Sequence, residues 1–302
     1  MRRDHTVAIE ERVKIATFTL SPARSRLFPM KAATVAVLLC VSLVIAGTAA
    51  AQFGQRGGGG RFGRGLRYAT PESFDGRFNF CRIIFRQNPY GDGGGWGVDY
   101  PRADENLSIR LSELTKAPVS FDGSGQPQHI VMRLTDEELF RCPFIMMTEV
   151  GAAYLDNDEA ARLRTYLLKG GFLWADDFWG SYAWQAWMGQ IQKALPANEF
   201  PVVDVPIEHP LFRTLFDVQR FPQIPSIGWT RSGTTSERGA DSARPEARAI
   251  LDQNGRMMVF ITHNTDFGDA FEREGDDPTY FYRFSVDGYA IGIDLLLYAM
   301  TH

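Results

Sequence analysis

The sequence predicts an α/β fold, a mainly parallel sheet with helices on both faces, formed as one domain after an N-terminal apolar segment. Three observations predict it. Continuous apolar runs such as Phe144 to Thr148 and Phe172 to Ala175 read as strands buried on both sides. The stretches between such runs place apolar residues at helical spacing over about ten to fifteen residues, the pattern of strand–helix–strand crossovers. The composition, 44% hydrophobic and 23% charged over 302 residues, suits a chain that buries one sizeable core.

The elements follow in order. Phe78 to Phe85 reads as the first strand. Pro101 to Thr115 reads as a helix with Ala103, Leu107, Leu111 and Leu114 on one stripe and Pro101 suited to its first turn. After the strand Phe144 to Thr148, Asp156 and Glu159 have capping-box spacing, Leu163 and Leu167 supply the apolar face, and Gly170-Gly171 closes that helix. Phe172 to Ala175 is the next strand. Trp184, Trp187, Met188, Ile191 and Leu195 recur at helical spacing, and the strands Val202 to Val205 and Met257 to Thr262 lead to a last helix near Tyr289 to Met300. Arg231 to Arg248 is polar and turn-rich and reads as a surface excursion.

Three segments organise the chain. Residues 1–51 end in the apolar run Ala32 to Ala51, preceded by Met30-Lys31 and closed by small residues at Ala49 and Ala51 ahead of Gln52. That reads as a secretory signal, with an inner-membrane anchor as the alternative, since about 20 residues at about 1.5 Å each just span a bilayer core of ~30 Å. The expected localisation is the periplasm or cell envelope, with membrane contact only through this segment if it is retained. Residues 52–77 read as a flexible Gly/Arg-rich linker, six of the nine residues Gly57 to Gly65 being glycine. Residues 78–302 form the domain.

Charge and cysteine content exclude several classes. Residues 1–51 hold seven basic and three acidic groups, whereas Ala69 to His302 holds 21 basic and 33 acidic ones, a balance of -12. A domain that acidic is no general nucleic-acid binder, which needs cations to displace counterions. Three cysteines without C-x-x-C spacing exclude a zinc ribbon or an iron–sulfur centre. Cys40 lies in the apolar run, so an exported domain keeps only Cys81 and Cys142, which can either pair in an oxidising compartment or stay buried as thiols.

Four strings then carry a resemblance. They are Trp96-Gly97-Val98-Asp99-Tyr100-Pro101-Arg102-Ala103-Asp104, Leu111-Ser112-Glu113-Leu114-Thr115, Gly170-Gly171-Phe172-Leu173-Trp174-Ala175-Asp176-Asp177 and Asn264-Thr265-Asp266-Phe267-Gly268-Asp269-Ala270-Phe271-Glu272. Together with the closing Tyr298-Ala299-Met300-Thr301-His302, and from about Phe78 onward, the chain resembles the bacterial family called domain of unknown function 4159 (DUF4159). The resemblance implies a flavodoxin-like α/β fold of the class I glutamine amidotransferase-like group, and it implies no activity.

The chemistry of that group is not legible here. An amidotransferase needs a cysteine on the turn after a strand, with a histidine and an acid behind it. The turn after Phe172 to Ala175 reads Asp176-Asp177-Phe178-Trp179-Gly180-Ser181, without cysteine. No G-x-S-x-G elbow occurs, and Ser181 reads as a helix cap. Gly91 to Gly97 fails as a phosphate loop, because no Gly-Lys-Ser/Thr follows and Trp96 stands where the third glycine should be. It reads as an aromatic-tipped loop. His129, His209 and His263 lack the spacing of a zinc site.

What remains is acidic and aromatic. Asp176 and Asp177 end an apolar strand, where ligands bind in open α/β sheets. His263, Asn264, Asp266, Asp269 and Glu272 follow the strand Met257 to Thr262. If strand order joins these two edges, the carboxylates need protons or a divalent cation such as Ca²⁺ or Mg²⁺, although no cofactor is otherwise indicated. Each acid can equally serve as a helix cap or turn residue. Phe178 and Trp179 read either as an aromatic wall beside the acids or as packing, and Asp99 and Tyr100 as polar groups at a helix start or as cap and core. Trp96, Asp99, Tyr100, Phe178, Trp179, His263, Asn264, Asp266 and Asp269 are therefore the candidate ligand-binding residues. The expected function is an exported domain that binds a small molecule, a glycan or an envelope protein without amidotransferase catalysis. The alternative is a carbohydrate or cell-wall hydrolase with Asp176 or Asp177 as general acid/base.

Overall fold

The computed structural model describes residues 66–302. The signal, the anchor alternative and the Gly57 to Gly65 stretch lie outside the described residues. Among those described, no helix is long and apolar enough to cross a membrane.

The chain forms strands β1 (Phe80–Ile83) and β2 (Arg86–Gln87), helix α1 (Arg102–Leu114), strands β3 (His129–Met132), β4 (Phe144–Thr148) and β5 (Ala153–Tyr154), helix α2 (Asn157–Leu168), strand β6 (Phe172–Asp176) and helix α3 (Gly180–Ala194). Strands β7 (Val202–Asp204), β8 (Glu246–Leu251) and β9 (Met257–His263) and helices α4 (Phe267–Glu272) and α5 (Val286–Thr301) follow, with short helical turns at Trp229–Ser232 and Pro278–Tyr280 among the connections. The main sheet has the order β3-β1-β4-β6-β9-β8-β7. The pairs from β3 to β9 are parallel and both pairs of β8 are antiparallel. The expected alternation thus produces a mixed α/β molecule with a mostly parallel central sheet.

Alternate residues of the central strands feed two separate cores, as a period of two requires. Cys81, Ile83, Ile145, Met147, Leu173, Ala175, Val259 and Ile261 face one core, where Leu163 and Leu167 of α2 and Trp187 and Ile191 of α3 meet them. Phe80, Phe144, Met146, Phe172, Trp174 and Phe260 face the other, against Leu107 and Leu111 of α1, Phe271 of α4 and Leu295 of α5. Both faces being covered explains why these strands lack polar alternation. The capping box is formed: Asp156 accepts from the Glu159 amide at 2.9 Å and Glu159 from the Asp156 amide at 2.9 Å.

Several local expectations need correction. Leu114 is 50% exposed, because the buried stripe of α1 ends at Leu111. Ser181 caps nothing. The amides that open α3 are held from elsewhere in the chain, Gly180 N donating to Asn264 Oδ1 at 2.8 Å and Ser181 N to Asp241 Oδ2 at 2.8 Å. Glu246–Leu251 lies partly inside the segment read as a surface excursion. It is a strand whose polar Glu246 and Arg248 hid its pairing between β9 and β7. The stretch around Arg67, counted with the linker, lies along β3, with the Val131 amide donating to the Arg67 carbonyl at 2.9 Å and the Arg67 guanidinium 2.7 Å from Asp122. Cys81 and Cys142, left open by the sequence, are joined in a disulfide with Cα atoms 6.4 Å apart.

Candidate functional site

The parallel strands all end at one edge of the sheet, and their last residues set what stands there. Thr148 pairs in register with Asp176 at the ends of β4 and β6, and β9 ends at His263 beside them. The next residue on each strand, Glu149, Asp177 and Asn264, has a left-handed backbone, with φ of 52°, 54° and 59°. Asp99, on the loop between β1 and α1, has φ 62°. Such backbones cost about 1–2 kcal/mol for a residue with a side chain, least for Asp and Asn, and they concentrate at functional sites. Four polar residues from four chain segments are thus held in one strained conformation at one edge.

Their side chains divide into structural and convergent groups. Asp176 is fully buried, and its carboxylate accepts from the Phe267 and Gly268 amides at 3.1 and 3.2 Å and from the Thr262 hydroxyl through a short bond. Burial raises it to about 7, against those hydrogen bonds, which favour the anion. It seats the N-terminus of α4 and has no face left for a ligand. Asn264 spends its side chain on Gly180 N and, through Nδ2, on the Arg244 carbonyl at 3.0 Å. His263 has Nδ1 2.7 Å from Glu246 Oε2 and Nε2 3.0 Å from the Gly180 carbonyl, with Phe178 and Trp184 packed beside its ring. These residues hold β9 to the start of α3.

Asp99, Asp177 and Asp266 converge. One carboxylate oxygen of each lies within 4.8 Å of the others, all three residues being buried. Asp177 Oδ1 accepts from the Trp179 indole at 3.0 Å, and Asp266 Oδ1 accepts from the Asp269 amide at 2.7 Å, capping α4. Asp99 Oδ2 has no hydrogen-bond partner. Burial is the main cause holding all three carboxyls well above the usual range. Next come Asp269 for Asp99, Glu149 for Asp177 and Asp177 for Asp266. A second group, Asp99, Asp269 and Glu272, has the same spacing. Arg273 reaches it, 3.2 Å from Asp269 and 2.8 Å from Glu272, and Asp269 Oδ2 also takes the Ile227 amide at 2.5 Å.

The aromatic candidates are inside. Phe178 is 1% exposed and stacks on Trp184 at 6.1 Å, and Trp179 is 4% exposed over Asp177, so neither forms an open wall. Trp96 packs at 5.8 Å from Tyr100, which is buried against His129, and its carbonyl accepts from Arg82 at 3.4 Å. Asp99 does not cap α1 with its side chain, the residue before that helix being Pro101.

Glu149 was missed, although an acid directly after the apolar run Phe144 to Thr148 carries the same signal as Asp177. The glycine loop closes over it: a β-carbon on Gly93 would lie 2.1 Å from Glu149 Oε2. Burial, with Glu237 and Asp92 nearby, raises Glu149 to about 7, against the favourable Gly94 amide. The glycine loop that fails as a phosphate loop therefore encloses a carboxylate. Clefts of about 330 and 420 Å³ open at the other end of the sheet, around Cys142 and Pro143, away from the acids.

A family model described as Domain of unknown function (DUF4159) matches residues 85–300, which include Asp99, Glu149, Asp177 and Asp266. No curated protein matches the chain.

Proposed function

From the premise that this chain belongs to the DUF4159 family, we propose that it is an envelope-associated binding domain whose ligand is held at the strand C-terminal edge without amidotransferase chemistry. The observation that carries this reading is Asp177. It occupies the left-handed turn directly after β6 and before α3, where a nucleophile would stand, and it meets Asp99 and Asp266 there. A carboxyl at this turn cannot supply the thiolate that amidotransferase chemistry needs, and beside two other carboxyls it is a ligand-holding group. The domain's two cysteines support the same conclusion, since both are consumed in the disulfide.

The parallel strands β1, β3, β4, β6 and β9 stand in the order β3-β1-β4-β6-β9, with its reversal between β1 and β4. That order supports the finer assignment to a flavodoxin-like fold of the class I glutamine amidotransferase-like group, in which ligands sit beyond the strand ends near such a reversal. Export through the apolar run Ala32 to Ala51 belongs to the same reading, and a disulfide agrees with an oxidising compartment. The hydrolase alternative has less support. Glycosidases hold their carboxyls roughly 5 to 9.5 Å apart across an open cleft, whereas these oxygens are closer and buried.

Thermal unfolding of the purified protein with soluble cell-wall sugars, peptides and divalent cations tests the proposal. A ligand of the edge raises the midpoint of wild type and not of Asp177→Asn. A ligand that raises both equally would place binding elsewhere, and turnover of a cell-wall fragment lost in Asp177→Asn would make the protein an enzyme.

A further inference from the structure

The two acidic groups at this edge differ in what neutralises them. Asp269 and Glu272 share the guanidinium of Arg273, a counter-charge that the fold supplies. Among the described residues no salt bridge reaches Asp99, Asp177 or Asp266. Arg82, the cation under the Asp99 loop, is committed. It makes three hydrogen bonds to Asp104 and others to the Trp96 and Val98 carbonyls. A second observation is independent of the clustering. Asp99 Oδ2 is buried on a residue 7% exposed, has no hydrogen-bond partner, and occupies space that Gly268 leaves open by lacking a side chain. An anion desolvated in this way costs several kcal/mol unless a proton or a cation replaces the lost water.

We propose that Asp99, Asp177 and Asp266 form a binding site for one hard divalent cation, calcium ahead of magnesium. This rests on the reading of the edge as a binding site and names the occupant. Oxygens coordinating calcium at roughly 2.4 Å can stand no farther apart than about 4.8 Å, the limit within which these three lie. Three carboxylates supply up to six oxygens, within calcium's usual six to eight, and no sulfur or imidazole ligand that would select a softer ion. Magnesium demands near-ideal octahedral geometry and keeps several waters, which a buried all-carboxylate nest does not favour. The left-handed turns at Asp99 and Asp177 and the cap role of Asp266 fix the ligands before the ion arrives, so little ordering remains to oppose binding.

Calorimetry on the chelator-treated protein at neutral pH tests this, with calcium or magnesium chloride as the only titrant. Uptake of one calcium per chain is expected, with magnesium at least tenfold weaker. Asp99→Asn and Asp177→Asn should each weaken calcium at least tenfold, whereas Glu272→Gln, whose carboxylate pairs with Arg273, should change it less than threefold. Circular dichroism of each variant checks that it is folded. Absence of calcium uptake by wild type, tighter magnesium, or loss with Glu272→Gln while folded Asp177→Asn still binds would each overturn the proposal. Failure of the wider reading is distinguishable: with no calcium uptake, cell-wall fragments that still raise the unfolding midpoint leave the binding edge standing and remove only the cation.

Discussion

Asp99 Oδ2 lies over the α-carbon of Gly268, so that a β-carbon at Gly268 would come within 2.0 Å of it. Two segments far apart in sequence meet there, the loop before α1 and the first turn of α4. Gly268 is helical, so its role is space and not backbone freedom.

Gly268→Ala should therefore displace Asp99 without straining the local backbone. Overpacking of this kind costs about 1–3 kcal/mol, measurable by urea unfolding, and calcium uptake should weaken at least tenfold in the same protein. Unchanged stability and uptake would show that the loop gives way freely and that Asp99 is not held.

Arg82 and Asp104 form a fully buried ion pair, both side chains 0% exposed, with Nε 3.0 Å from each carboxylate oxygen. Removing one partner strands the other, so Arg82→Met or Asp104→Leu alone should cost about 3–5 kcal/mol. The double substitution should cost far less than the sum, because it removes both desolvated charges. A double-mutant cycle by urea unfolding reads the coupling directly, and additive costs would contradict it.

The disulfide closes a loop with a sequence separation of 61. Chain-entropy arguments assign such a crosslink about 4 kcal/mol. A Cys81→Ser/Cys142→Ser protein should unfold roughly 10 °C lower by calorimetry. Equal midpoints for the double variant and wild type would show that the bridge is not formed in the purified protein.

Glu149 gives a pH dependence of definite sign. Burial raises its carboxyl from an ordinary 4.5 to about 7, so between those values the folded protein holds a proton that the unfolded chain has released. Its contribution is fully present below the lower value and is lost as pH rises through the upper one. Without added cation, stability should fall across that window, and Glu149→Gln should make the fall shallower by at most about 1.4 kcal/mol per pH unit. Parallel profiles for wild type and variant would remove Glu149 from the account.

Much of the layered core was legible locally. β4 and β6, the capping box on α2 and the last helix are visible because a buried strand is a short apolar run and a buried helix an apolar stripe. β3 and β8 were harder. β3 is a short apolar edge strand of four residues, too brief to stand out before its pairing with β1, whereas β8 mixes polar with apolar residues, as in Glu246, Ala247 and Arg248, and only pairing with β9 and β7 marks it as sheet. At the site, the acids following β6 and β9 were legible as strand-end groups, but their division of labour was not. Nothing local separates Asp176, whose oxygens are spent on α4, from Asp177 one residue later, which faces Asp99 and Asp266. The aromatic pair Phe178 and Trp179 could be read as a wall or as packing and proved to be packing: Phe178 is covered by Trp184, in the helix that follows, and by His263, distant in sequence, and Trp179 is buried against Asp177.

By itself the sequence determined the alternation of strands and helices, the acidity of the domain and the missing nucleophile, because residue type and short-range periodicity decide those. Tertiary structure alone decided that Asp99, Asp177 and Asp266 are neighbours, that Arg273 pairs with Asp269 and Glu272 and with none of those three, and that Cys81 meets Cys142. Carboxylates repel one another, so no local preference gathers them. They stand together because burial of two apolar cores orders the strands and brings their ends to one edge, and the energy of that packing exceeds the repulsion it imposes.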